Sequence, residues 1–124
     1  MSLLLDTHVI LWWLTDDPTL DAELRGRLDH DPDVYVSSAA VWEIALKQAS
    51  GKLGGPADLP ERVVGSGFLP LPIDARHAIE AARLPLIHRD PFDRILVAQA
   101  RCEELTLVTR DPYCLRYEVD SLSC

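Results

Sequence analysis

The segment His88-Arg89-Asp90-Pro91-Phe92-Asp93-Arg94 opens the apolar run Ile95-Leu96-Val97-Ala98-Gln99-Ala100 and puts two acids at one predicted helix end. Proline suits a first helical position, because its missing N–H would lack a partner there anyway. Asp90 therefore fits the N-cap, and Asp93 the first turn. A carboxylate in that turn favours the helix dipole and shares the face of the cap. Two readings fit this pattern: a variant of the capping box, or Asp93 as one wall of a metal site with Asp90 as cap or support. The second needs other acids that the fold brings close, and Asp6, Glu43 and Asp111 answer the description.

The elements that would position them follow in order. Ser2-Leu3-Leu4-Leu5 reads as a strand buried on both faces and ending at Asp6. A helix follows from Thr7, with Val9, Trp12 and Trp13 at helical spacing, until Asp16-Asp17-Pro18 stops it. A second helix is predicted over 21–29 and a second strand over Val34-Tyr35-Val36. Ser37 or Ser38 caps a helix over 39–52, and a short helix over 58–64 precedes Phe68-Leu69-Pro70-Leu71-Pro72-Ile73, whose prolines make it an edge strand at best. Asp74 caps a helix through Arg83, the helix from Pro91 leads to a strand over Leu105-Thr106-Leu107-Val108, and a last strand is expected near Glu118-Val119. Short strands alternating with helices predict an α/β fold, a short, mainly parallel central sheet flanked by helices.

In open parallel sheets, ligands gather at the carboxyl ends of the strands. Asp6 ends the first strand, Glu43 lies early in the helix after the second, and Asp93 opens the helix before the Thr106–Val108 strand. Asp111 lies just past that strand, beside Thr109. Each has an ordinary alternative. Asp6 can cap the next helix, Asp111-Pro112 is a turn signal, and Glu43 stands four residues before Lys47 as a surface pair would. Their joint placement favours a cluster. Carboxylates packed together repel and raise one another's pKa unless cations separate them. All-oxygen sites suit Mg²⁺ or Mn²⁺, which can activate water and neutralise charge on a phosphodiester.

Composition limits the rest. A chain of 124 residues, 48% hydrophobic, is expected to be one domain, 1–124, with an ordinary core. Its apolar runs are too short to span a bilayer, and no basic stretch precedes the first, so a cytoplasmic protein away from membranes is expected. The three cysteines show no CxxC or Cys/His spacing and suggest neither disulfides nor zinc. With 12 Lys+Arg against 20 Asp+Glu, the net charge of −8 opposes broad attraction to nucleic acid. A polyanionic substrate would need bound cations and local arginines; Arg94 and Arg110, each beside an acid, are candidates for phosphate. His8 and His88 lack a second histidine at ligand spacing and read as packing or supporting groups.

Leu4-Leu5-Asp6-Thr7-His8, Trp42-Glu43-Ile44, the run His88 to Ala100 and Leu107-Val108-Thr109-Arg110-Asp111 together resemble the PIN-domain ribonucleases, in particular the VapC-type toxins of toxin–antitoxin pairs. The resemblance spans essentially the whole chain. It implies a PIN-like fold, Mg²⁺- or Mn²⁺-dependent endoribonuclease activity on an RNA substrate, inhibition by a cognate antitoxin, and a homodimer. Tryptophans and leucines near the N-terminus would serve that dimer. Carried over by position, Asp6, Glu43 and Asp93 match the family's three core acids, Asp111 its more variable fourth, and Thr7 and Thr109 hydroxyl positions near them.

Rival readings are a haloacid-dehalogenase-type phosphatase, which needs an Asp where His8 stands, and a receiver domain, which needs a Lys where Arg110 stands. A PIN-like interaction domain without catalysis is the remaining alternative.

Overall fold

A computed structural model describes residues 2–124. The strands are β1 (Leu3–Leu5), β2 (Val34–Ser37), β3 (Leu69–Leu71), β4 (Thr106–Thr109) and β5 (Ser121–Ser123). The helices are α1 (Thr7–Leu14), α2 (Ala22–His30), α3 (Ser38–Ala49), α4 (Leu59–Val64), α5 (Ala75–Arg83) and α6 (Pro91–Glu103), with a 3-10 turn at Cys114–Arg116. The sheet order is β3-β2-β1-β4-β5 and every pairing is parallel. The predicted α/β fold with a central parallel sheet is what forms.

β1 takes the centre because all three of its leucines are apolar and both its faces are covered. Leu3 and Leu5 face one core with Val34, Val36 and Val108, closed by α1, α2, α4 and one side of α3. Leu4 and Leu107 face the other, closed largely by α6. β3 carries Pro70 on the sheet edge, where a missing N–H does least harm.

The last strand is displaced from its expected place. Val119 N–H bonds back to Tyr117 O, while Asp120 O already accepts from Leu107 N–H, so ladder pairing starts beyond Glu118-Val119, at Ser121. The N-terminal tryptophans pack within the chain: Trp13 donates to Asp29 Oδ1 at 2.8 Å and meets Phe68, and Trp12 lies beneath the Arg110 guanidinium. The exposed tryptophan is instead Trp42, 61% accessible and edge-on to Phe92. No helix among the described residues is long and apolar enough to cross a membrane.

Candidate active site

Helix entry sets the geometry at the carboxyl edge of the sheet. Asp6 is in extended conformation at the start of α1 and its carbonyl accepts the Ile10 N–H, yet its carboxylate makes no capping bond. It turns inward, 4% exposed, where Oδ2 accepts from Thr109 Oγ1 at 2.6 Å. Asp6 Oδ1 is the buried side-chain oxygen left without a partner among the described residues. An orphaned carboxylate oxygen at such burial is costly unless a cation meets it.

Ser37, the last residue of β2, caps α3 by accepting from Ala39 N–H at 3.0 Å, which places Glu43 in the second turn. Glu43 is 3% exposed. Its Oε1 accepts from Thr7 Oγ1 at 2.6 Å and its Oε2 from Lys47 Nζ at 2.7 Å. The Lys47 pair suggested by spacing therefore exists, but it reaches a buried carboxylate, and Asp90 and Asp93 help hold the lysine pKa up.

Asp90 caps α6, accepting from Phe92 and Asp93 N–H at 2.9 and 3.4 Å, with Pro91 in the first turn. That entry aims Asp93 at the acids beyond β1 and β4. Burial first, then the charges of Asp6, Asp90 and Asp111, push the Asp93 carboxyl from an ordinary 3.8 up to about 7, against the opposing pull of His88. Asp6 is raised too, chiefly by burial, with Thr109 and His8 opposing and Glu43 adding.

Past β4, Asp111 N–H donates to Thr109 Oγ1 at 3.0 Å, so one hydroxyl ties Asp6 and Asp111 together. Asp111 Oδ1 accepts from Tyr113 and Cys114 N–H at 2.8 and 3.4 Å. His88 Nε2 lies 3.0 Å from Asp93 Oδ2 and 3.1 Å from Asp111 Oδ2. Sequence reasoning read His88 as a packing or supporting group and did not single out Cys114. Its thiol is held well above the ordinary range by burial and the neighbouring acids. The ligand-type atoms of His88, Asp93, Asp111 and Cys114 lie within 4.8 Å of one another. The available signal for His88 was its place two residues before a cap.

The two arginines have partners of their own. Arg94 donates to the carbonyls of Ala81, Leu84, Pro85 and His88 at 2.7, 3.1, 3.1 and 3.2 Å, and to the Tyr117 hydroxyl. Arg110 donates to Cys124 O and Thr19 O and stacks on Trp12. Arg94 thus braces the chain, whereas Arg110 is exposed and lines a cavity with Asp6 and Asp111. A second gathering, Asp74, His77 and Glu103, is bridged by Arg76, which meets both carboxylates at 3.1 and 2.6 Å.

Asp93 and Asp111 belong to one candidate metal-binding cluster; Asp6 and Glu43 are not among its close ligand atoms, though the charge of Asp6 helps raise Asp93 and that of Glu43 helps raise Asp6. Residues 3–119 match the family described as PIN domain. No curated protein sequence matches the chain. Among solved structures, VapBC2 from Rickettsia felis, bound to a DNA fragment from its promoter, aligns with a TM-score of 0.75 at 13% identity, over 99% of this chain and 98% of that one. FitAcB from Neisseria gonorrhoeae aligns with a TM-score of 0.70 at 26% identity, over 97% and 96%. A toxin–antitoxin complex from Klebsiella pneumoniae aligns at 0.67 and 20% identity, over 98% and 96%.

Proposed function

The chain belongs to the PIN domain family, and from that premise we propose that it is a cytoplasmic, Mg²⁺- or Mn²⁺-dependent endoribonuclease, the toxin of a toxin–antitoxin pair. The observation that carries the reading is the buried, unpartnered Asp6 Oδ1, on a carboxylate whose charge, after burial, is what most raises the Asp93 carboxyl. Asp6, Glu43, Asp93 and Asp111 would hold the ion, directly or through water. A bound divalent cation supplies an activated water at neutral pH and offsets charge developing on the phosphodiester.

The chain's own residues prepare that chemistry. Thr109 engages one oxygen of Asp6, which leaves the other free for a cation. Thr7 and Lys47 fix both oxygens of Glu43, so its rotamer is settled before any ligand arrives. The toxin assignment draws support from the toxin–antitoxin complexes among the similar folds. A cognate antitoxin is the expected inhibitor and a homodimer the expected assembly, although Trp12 and Trp13, offered to that dimer by the sequence, pack within the chain.

The test is cleavage of a mixed pool of folded RNAs, transfer RNA included, with Mg²⁺ or Mn²⁺ and with chelator. Cutting should require the ion, vanish in Asp93→Asn, and persist in Asp90→Asn, because Asn also caps helices. Loss in Asp90→Asn alone would move the site by one turn. No cutting and no metal response would leave the PIN-like interaction domain.

A further inference from the structure

His88, Asp93, Asp111 and Cys114 offer nitrogen, oxygen and sulfur at ligand spacing. By composition such a set would suit a transition metal as well as a hard cation. The hydrogen bonds around the imidazole decide between them. His88 Nδ1 accepts from the Asp90 backbone N–H at 3.2 Å, so the ring proton resides on Nε2. That N–H hydrogen-bonds Asp111 Oδ2, 3.1 Å away, while Asp93 Oδ2 sits 3.0 Å from the same nitrogen. A protonated ring nitrogen has no lone pair to give a metal. The same device recurs at His77, where Nδ1 accepts from Asp74 N–H at 3.0 Å and Nε2 meets Glu103 at 2.9 Å. The His88 backbone is fixed independently, its N–H donating to the Tyr117 hydroxyl at 2.8 Å.

We propose that His88 is a positioning residue of the acid cluster, an Nε2–H donor that holds Asp111 beside Asp93 and is not itself a metal ligand. The assignment rests on the metal-dependent reading of the site. Asp111 is pinned through Oδ1 by two backbone N–H groups, and His88 holds its second oxygen. Without that donor, repulsion between the two carboxylates turns the Asp111 plane away from Asp93. Partners of metal ligands at this remove typically set affinity by about 10- to 100-fold.

The experiment is thermal-shift titration of the full chain with Mg²⁺ and with Mn²⁺, for parent, His88→Ala and His88→Gln. His88→Ala should bind both ions about tenfold more weakly and by the same factor for each. His88→Gln should recover most of that loss, since its amide N–H reaches toward the same oxygen. A larger loss for Mn²⁺ than for Mg²⁺, with no recovery in His88→Gln, would make the ring nitrogen a ligand and overturn the assignment. A lowered melting temperature with unchanged ion affinity would overturn it in favour of packing. If the parent responds to neither ion, the metal reading itself fails and the assignment falls with it.

Discussion

Asp93 carries a pH dependence whose sign follows from its raised carboxyl. Between an ordinary value of 3.8 and about 7, the folded chain keeps a proton that the unfolded chain has already lost. Stability of the ion-free protein therefore falls as pH rises through that window, and the full penalty stands above it. In chelator, Asp93→Asn should flatten the decline and be more stable than the parent at pH 8, by on the order of 3 kcal/mol. Near pH 4 the two should melt together. Asp6, also raised, supplies the slope that remains. Proton and ion compete for the same carboxylate, so apparent Mg²⁺ or Mn²⁺ affinity should weaken as pH drops below about 7. Thermal melts across pH, with and without ion, read both effects, and an unchanged slope in Asp93→Asn would contradict this origin.

At the scale of the element, the entry to α6 organises the most. Asp90 and Pro91 start the helix, Asp93 leaves it toward the acids, and Arg94 leaves it toward the preceding loop, so one turn fixes both site and scaffold. Arg94→Ala would strip the carbonyls of Ala81, Leu84, Pro85 and His88 of a charged donor. It should cost about 2–3 kcal/mol of stability, and because Arg94 also holds His88 O, ion affinity should weaken with it. Chemical denaturation with ion titration checks this. An unchanged midpoint with lost RNA affinity would instead return Arg94 to gripping phosphate. The helix and its cap were legible in the sequence, because Asp-Pro entry and apolar periodicity are local signals. The destination of the guanidinium was not, since its acceptors include carbonyls as far back as residue 81.

For the whole molecule, a net charge of −8 makes nucleic-acid affinity conditional. With Arg94 engaged internally, a bound cation would supply the attraction for a phosphodiester at the acid cluster itself, beside the exposed Arg89 and Arg110. Binding of a labelled RNA, followed by anisotropy on ice before cutting, should weaken at least about tenfold when the ion is chelated, and steepen in its salt dependence when the ion is present. Affinity indifferent to chelator would place the RNA on another surface. The sheet was foreseeable at this scale: an all-leucine strand demands cover on both faces, and alternating helices supply it. β5 was misplaced because its residues, exposed at the edge, carry little pattern of their own and pair only where Asp120 O meets Leu107 N–H.

The sequence by itself determined most of the elements, the caps of α3, α5 and α6 and the short list of acids, because periodicity, proline and helix-capping act within a few residues. It also carried the family resemblance in four separated motifs. Only the tertiary structure decided which oxygen of Asp6 is free, since the hydroxyl that engages the other lies 103 positions away. The same holds for the imidazole set between Asp93 and Asp111, and for the burial that raises Asp93. Desolvation and donor direction are properties of packed surroundings, and no run of neighbouring residues encodes them.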